Sequence, residues 1–564
     1  MTAIGALSLI LHTHLPYVRL AGSWPHGEEW IHEALSESYI PLLRALYQLR
    51  AESVPYRLTL SMSSVLTEQL ADPLVMAHFD AYIQMRYDAL KRDILAFAPD
   101  GSAPNAHMYY LAQTYKSAMK DMRDAFNGQF KRDILGAFRQ LQDEGYLEIA
   151  TSAATHAYLP LLSQDSTLRG QLRAAIASYE RHFGRRPASI WLPECGYRPA
   201  YVDDDGQLRA GLESFLQDEG LSLFFAEGHS ITGGRPVGVA EGDIIGPYGA
   251  IKRRYVMPPV AILPERQAST FRAYTVSESV AGAEGRASRV AVLGRNYQAG
   301  QQVWSSEWGY PGDFDYREFH KRAASSGVQY WRVTGNTIAL DQKDFYHPDW
   351  AQYKVEQHAE HYAHLISDQL RDYRQQNKGA YGIVAVSYDT ELFGHWWHEG
   401  VDWLVNVLRH IALNPKIDLL TAQEALQRQP ERDTLHLPES SWGMGGSHFT
   451  WENPEVAWMW TPIHESEKRL QALAQRYTAP SELQRAALNQ SARELCLLMS
   501  SDWQFLITTG QAREYAIERF QKHLERFQRL AETLERDESI NEGELSLYAE
   551  QDKLFDEMDY RWFA

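Results

Sequence analysis

The feature that most limits how this chain can fold is a repeated one: a short apolar run that stops at a polar side chain. Leu7 to Leu11 runs into His12-Thr13-His14. Tyr146 to Ala150 leads to His156, Ser189 to Leu192 to Glu194, Leu221 to Ala226 to Glu227, and Tyr381 to Ser387 to Asp389. Short, continuous apolar runs read as strands buried on both faces. Tyr56–Met62, Val290–Leu293 and Ile417–Leu420 extend the set. Helical spacing fills much of the gaps, at 28–50, 166–183, 316–324, 351–375 and 400–412. This β–α order predicts a parallel sheet. Seven or eight such strands with polar tips fit a TIM-like barrel, complete or not, better than an open sheet. One site at its C-terminal face would gather the tips.

Two stretches depart from the rhythm. Residues 74–97 and 107–143 read as long helices and predict a helical insertion (74–145) on the barrel rim. Beyond about 426 come an aromatic loop (438–461) and amphipathic helices at 463–477, 482–507 and 512–535. The expected division is a catalytic barrel over 1–425 and an all-helical C-terminal domain over 426–564. Residues 228–250 are rich in Gly, with Pro236 and Pro247, and predict a long loop beside the strand tips.

Charge and composition narrow the function. A net charge of −18, from 55 Lys+Arg against 73 Asp+Glu, disfavours nucleic acid and anionic membrane surfaces as partners. No apolar stretch reaches the ~18 residues of a membrane span. Two distant cysteines, Cys195 and Cys496, allow no disulfide framework. Met1 to Leu11 lacks a basic leader and reads as a first strand, so the expectation is a cytoplasmic protein. The 16 Trp and 31 Tyr are in excess, and such rings at a surface make stacking platforms suited to sugars.

Glu194 and Asp389 are the candidate catalytic pair. They tip different strands, and cleaving a glycosidic bond needs one carboxyl as acid and another as base or nucleophile. Asp389 also reads as a helix N-cap before Thr390-Glu391, but the dense His395-Trp396-Trp397-His398 that comes after it favours a site. His12 and His14 point the same way on a strand. With His156 they form either a metal ligand set or a group of hydrogen-bonding histidines gripping sugar hydroxyls. Trp304, Trp442 and Trp451 stand in Gly/Pro/Ser-rich loops and suit sugar stacking, whereas Trp458 and Trp460 adjoin a helix and suit packing.

Taken together, His12-Thr13-His14-Leu15-Pro16-Tyr17, Gly145-Tyr146-Leu147-Glu148-Ile149 with His156, Trp191-Leu192-Pro193-Glu194-Cys195-Gly196-Tyr197 and Tyr388-Asp389-Thr390-Glu391-Leu392-Phe393-Gly394-His395-Trp396-Trp397 resemble the motifs of family 57 glycoside hydrolases. Within that family they resemble the 1,4-α-glucan branching enzymes. A weaker fifth motif lies around Leu420-Thr421-Ala422-Gln423-Glu424. The resemblance implies an α/β fold, an incomplete (β/α)7 barrel with a helical insertion and a helical C-terminal domain. It implies Glu194 as nucleophile and Asp389 as acid/base of a retaining transfer that makes α-1,6 branches in a glycogen-type glucan. His12, His14, His156, Trp304, Trp397, Trp442 and Trp451 would then bind glucan, with no metal and no cofactor. Branching members carry a Tyr in a loop segment like Arg-Pro-x-Tyr-Gly, where this chain has Arg235-Pro236-Val237-Gly238-Val239, with Tyr248 nearby. That departure favours an amylase-like hydrolase as the alternative. A metal-dependent deacetylase or amidohydrolase using the three histidines is the more distant one.

Overall fold

Nine strands lie edge to edge in a curled sheet that stops short of closing, and a tenth pairs from the side. A computed structural model describes residues 3–564 apart from 204–205, 237–244, 247–248, 251–259, 261, 279–286 and 306–307. The strands are β1 (Gly5–Thr13), β2 (Leu58–Met62), β3 (Leu147–Ser152), β4 (Ser189–Trp191), β5 (Leu223–Ala226), β6 (Ala273–Ser277), β7 (Ala287–Gly294), β8 (Gly382–Asp389), β9 (Ile417–Leu419) and β10 (Thr434–Leu435). Their order is β8-β1-β2-β3-β4-β5-β7-β6-β10, with β9 paired to β1 off this path. All pairings are parallel except β6 with β7. Among the described residues β8 and β10 do not pair, so the sheet is an incomplete barrel.

β1 is the strand the rest leans on. All nine of its residues are buried. β8 pairs with it from Gly5 to His12, while β2 takes Ile10 to Thr13 and β9 takes Gly5 to Leu7. The register sets His12 beside Asp389, so two strand tips reach the same level.

All eight apolar runs are strands, and two strands were not expected. β6 is antiparallel to its neighbour β7, and β10 is only two residues long. The three helices Pro73–Phe97, Ala106–Asp124 and Ile134–Asp143 lie between β2 and β3. The helix expected over 316–324 is absent. There Glu318 accepts hydrogen bonds from the backbone and ring of His320 and pairs with Lys343, and Arg317 bridges to Arg332, which holds the chain extended. The stretch 228–250 begins with a short helix, Gly228–Thr232, rather than loop. Val237 and Tyr248 lie outside the described residues.

Two helices are interrupted, and both interruptions bear on the site at the strand tips. Within 28–50, Leu35–Tyr39 forms a π-helical turn between two α-helices. The single helix expected over 482–507 breaks into Glu482–Leu498 and Ser501–Thr509, with Ser500 extended at φ −54°, ψ 130°. The C-terminal helices pack into one apolar cluster with Tyr17, Leu192 and Tyr197 near the strand tips.

Candidate active site

The site grows from the ends of β1, β3, β4 and β8. Glu194 comes just after β4 with φ at 59°, and Cys195 and His156 also take left-handed backbone at 49° and 56°. Non-glycine residues held there are strained by roughly 1–3 kcal/mol each and persist only where surroundings fix them. Here the fixing contacts are plain. The Trp442 backbone N–H donates to the Glu194 carbonyl at 3.0 Å, and its indole N–H donates to Glu194 Oε2 at 2.8 Å. The Ser501 backbone N–H donates to the His156 carbonyl at 3.0 Å.

The three histidines form a stacked set. His14 and His156 lie with ring centroids 3.7 Å apart and planes 14° apart, and His12 stacks on Trp191 at 4.6 Å. Their nitrogens are taken up by hydrogen bonds. His12 Nε2 meets His156 Nε2 at 3.1 Å and its Nδ1 meets Ser61 Oγ at 3.3 Å. His14 Nδ1 meets Ser63 Oγ at 2.8 Å and its Nε2 meets Asp502 Oδ1 at 3.0 Å. His156 Nδ1 meets Ser501 Oγ at 2.9 Å and lies 3.8 Å from Glu194 Oε1. Among the described residues, the His/carboxylate group spaced to hold an ion lies elsewhere, at Glu494, His523 and Asp552.

Burial alone would lower the His14 pKa, but the neighbouring Asp502, with Glu194 and Glu391 beyond, outweighs it and raises it. Burial and the His14 charge push His12 well down, and His156 is lowered for the same reasons. Burial raises Glu194 to about 7, opposed by the Trp442 hydrogen bond and helped by the Asp502 charge. Burial, then the charges of Glu391 and Glu194, pushes Asp389 well above the usual carboxylate range. Glu391 is raised to about 7 by burial, against a hydrogen bond donated by the Tyr39 hydroxyl. The arrangement separates the pair chemically. Glu194 accepts hydrogen bonds that favour its anion, whereas no described residue donates one to Asp389. That is the pattern of a nucleophile beside an acid.

The π-helical turn carries the loop after Asp389. Ser38 Oγ donates to the carbonyls of Thr390 and Phe393, Tyr39 bonds Glu391, and His395 Nδ1 meets Glu37 Oε2 at 2.6 Å. Gly394 sits at φ +99°, where a Cβ would collide with the Glu37 carbonyl oxygen. Single π turns recur at functional sites because they re-aim successive side chains.

These groups enclose a cavity of about 300 Å³ lined by His12, His14, His156, Glu194, Asp389, Glu391, Asp502, Trp442 and Trp451 among others. It shares Trp30, His395 and Trp396 with a wider cleft of about 790 Å³ that runs on past Trp24 and Phe319. The site therefore has a small reacting end continuous with a wider, partly aromatic cleft.

Residues 8–438 match the family described as glycosyl hydrolase family 57. The chain belongs to that family. Residues 462–563 match a second description, 1,4-alpha-glucan branching enzyme, C-terminal. The family 57 chain is 41% identical over 551 residues to the 1,4-alpha-glucan branching enzyme TK1436 of Thermococcus kodakarensis, covering 97% of this chain and 76% of that one. The crystal structure of TK1436 superposes with a TM-score of 0.88 at 39% identity, covering 100% of this chain and 96% of that one. The alpha-amylase AmyC of Thermotoga maritima superposes at 0.80 with 27% identity, covering 99% of both chains.

Within this family 57 fold, two of the sequence-derived tryptophans sit apart from the cavity. Trp397 is 2% exposed and packs among Tyr316, Phe393 and Trp403. Its neighbour Trp396 lines the cavity instead; the two backbone N–H groups donate to the Glu391 and Leu392 carbonyls. Trp304 ends the helix Tyr297–Trp304 rather than standing in a loop, and lies 6.3 Å from the Tyr388 ring. Trp451 lines the cavity with its ring stacked on Tyr158 at 4.2 Å. Glu227, another strand tip, pairs with Arg295 at 3.0 Å and faces Cys195 rather than the cavity. Sequence reasoning missed Trp30, Trp396, Glu391, Ser501 and Asp502. Ser500-Ser501-Asp502 inside an apparent helix is the N-terminal capping signature that could have exposed the break and the last two residues.

Proposed function

We propose that this chain is a retaining 1,4-α-glucan branching enzyme. The observation that carries the reading is the pair Glu194 and Asp389, half-buried at two strand tips in an aromatic cavity within a chain that matches branching enzymes along nearly all its length. In this scheme Glu194 attacks the anomeric carbon of an α-1,4 bond and Asp389 protonates the departing 4-oxygen. The glucosyl–Glu194 ester is then attacked by the 6-hydroxyl of another chain, whose proton returns to Asp389. Trp442 and Ser501 hold the Glu194 carboxylate, and His12, His14 and His156 wall the cavity beside it with their ring nitrogens already engaged by one another and by Ser61, Ser63, Ser501 and Asp502. The cleft past Trp396 leaves room for a polymer on the approach side. Retention calls for carboxyls roughly 5–5.5 Å apart in the substrate complex. Glycogen-type glucan is the substrate class, and two free thiols suit a reducing, cytoplasmic compartment. No described helix is long and apolar enough to cross a membrane.

The absence of the branching members' loop Tyr from Arg235-Pro236-Val237-Gly238-Val239 favours a second reading in which water resolves the intermediate. Incubation with amylose separates the two. Counting new α-1,6 linkages against new reducing ends should give branches in excess. Reducing ends without branches would make the enzyme a hydrolase.

A further inference from the structure

A second set of aromatic rings stands on the surface, away from the catalytic cavity. Trp350 and Tyr353 lie at the start of the helix Pro348–Gln376 and are 49% and 61% exposed. Residues three apart share a helix face, so both rings stand on one side. The row continues onto a different part of the chain. His347 stacks on Trp350 with centroids 4.0 Å apart and planes 23° apart. His107, on the helix Ala106–Asp124, lies 4.4 Å from His347, and Tyr110, itself 47% exposed, lies 6.3 Å from His107. Phe345 joins from the side, 5.6 Å from His107. Polar groups edge the rings. Gln357 Nε2 donates to the Tyr353 hydroxyl at 3.0 Å, and the Arg332 guanidinium sits 5.7 Å from the Trp350 ring centre. None of the six rings lines the cavity that holds Glu194 and Asp389.

An exposed, continuous aromatic surface is unusual on a protein that works alone and marks a contact site. The chemistry of this one selects its occupant. Flat rings offer C–H faces of pyranose units a stacking surface, and the Tyr hydroxyls, the His347 imidazole and Gln357 offer hydrogen bonds to sugar hydroxyls, while His107 Nε2 is held by the Tyr346 carbonyl at 2.7 Å. The row lies across two helices far apart in sequence rather than in a concave pocket, which suits a polymer chain laid along it and not a compact ligand.

We propose that Tyr110, His107, His347, Trp350 and Tyr353 form a secondary platform for an α-glucan chain, separate from the catalytic cavity. The inference rests on the α-glucan reading above. A chain held here raises the effective concentration of its other segments at the cavity. The platform therefore acts on long substrates and leaves short ones untouched.

The test uses the full chain with Trp350→Ala and Tyr353→Ala combined, and Trp350→Phe as the conservative control. Native gels containing glycogen report polymer binding. New α-1,6 linkages formed from maltoheptaose and from long amylose report catalysis. The double variant should lose about tenfold in apparent glycogen affinity and show a similar rise in KM for long amylose, with maltoheptaose turnover unchanged. Trp350→Phe should keep most of the retardation. Unchanged retardation in the double variant overturns the platform. So does a self-association that the double variant abolishes while glycogen binding stays the same, since the occupant is then a second copy of the chain. A parent enzyme inert on amylose overturns the functional reading itself, which these outcomes keep distinct.

Discussion

Two buried clusters of histidine and carboxylate sit in this molecule, and they share a composition but not a chemistry. In the helical C-terminal region, Glu494, His523 and Asp552 are all at most 1% exposed. Arg519 donates to His523 Nε2 at 3.0 Å, which leaves the ring proton on Nδ1, donated to Glu494 Oε2 at 2.9 Å. Gln490 satisfies Glu494 Oε1, and Arg526 pairs with Asp552. The three ligand atoms lie close enough for an ion, but two guanidiniums already answer the charge. At the strand tips, Glu194, Asp389, Glu391 and Asp502 line one cavity with, among the described residues, neither a guanidinium nor an ammonium in its lining. Burial and mutual repulsion there push Glu194, Asp389 and Glu391 up; in the helical cluster burial and the Asp552 charge likewise push Glu494 up, while Asp552 is pulled down by His523 and the two arginines against its burial. What separates the two is access: the strand-tip carboxylates line a cavity, whereas the helical trio is sealed among its own partners.

The contrast can be broken in four places. Glu194→Gln should lower turnover on amylose by about 10⁴-fold or more. Its stability effect has the opposite sign. The folded-state pKa of Glu194 is raised to about 7 from 4.5, so the native state holds an extra proton between those values. Stability therefore falls as pH rises through that window, and the neutral Gln removes the loss. The variant's thermal midpoint at pH 8 should equal or exceed the parent's. A clearly lower midpoint would make Glu194 a structural residue.

His523→Ala should do the reverse. Leaving Glu494 without its hydrogen-bond donor should cost about 3–5 kcal/mol in denaturant unfolding, with turnover per folded molecule intact. Loss of turnover without loss of stability would erase the distinction between the clusters. Asp502→Asn should fall between the two, lowering kcat by roughly ten- to a hundredfold because His14 loses the group that orients and charges it. Unchanged kcat would place the C-terminal contact outside the machinery. The smallest effect is expected at Trp396→Ala, a rise in KM for amylose of about fivefold, on the order of 1 kcal/mol. Trp397→Ala should leave KM alone and lower the thermal midpoint. An exchanged pair of results would reverse which tryptophan meets the glucan.

Much of this was legible because the barrel's grammar is local. An apolar run and the polar residue after it report a strand and its tip without any long-range information, and His12, His14, His156, Glu194 and Asp389 all surround the cavity. What was not legible depends on contacts between distant segments. β6 is antiparallel to its neighbour and β10 is two residues long, and neither carries a run pattern. Trp396 and Trp397 are alike in sequence terms, and only the packing of Trp397 on Tyr316, Phe393 and Trp403 shows that it is Trp396 that faces the cavity. The π-helical turn at Leu35–Tyr39 leaves the helical spacing of 28–50 nearly unchanged, yet it supports the whole segment after Asp389. Ser501 and Asp502 sit in amphipathic helical sequence, and a pattern read for period alone passes over the break at Ser500.

That break at Ser500 also sets a clock on the enzyme during its synthesis. Chains leave the ribosome from the N-terminus, and regions fold as they emerge. His14, His156, Glu194 and Asp389 are all made before Ser501 and Asp502, the residues that complete the hydrogen bonds of His156 and His14. An unfinished chain can assemble most of its barrel but lacks those two contacts. Those contacts thus wait until residue 502 has been made, and a product truncated before residue 501 carries the carboxylate pair without the partners that hold its histidines.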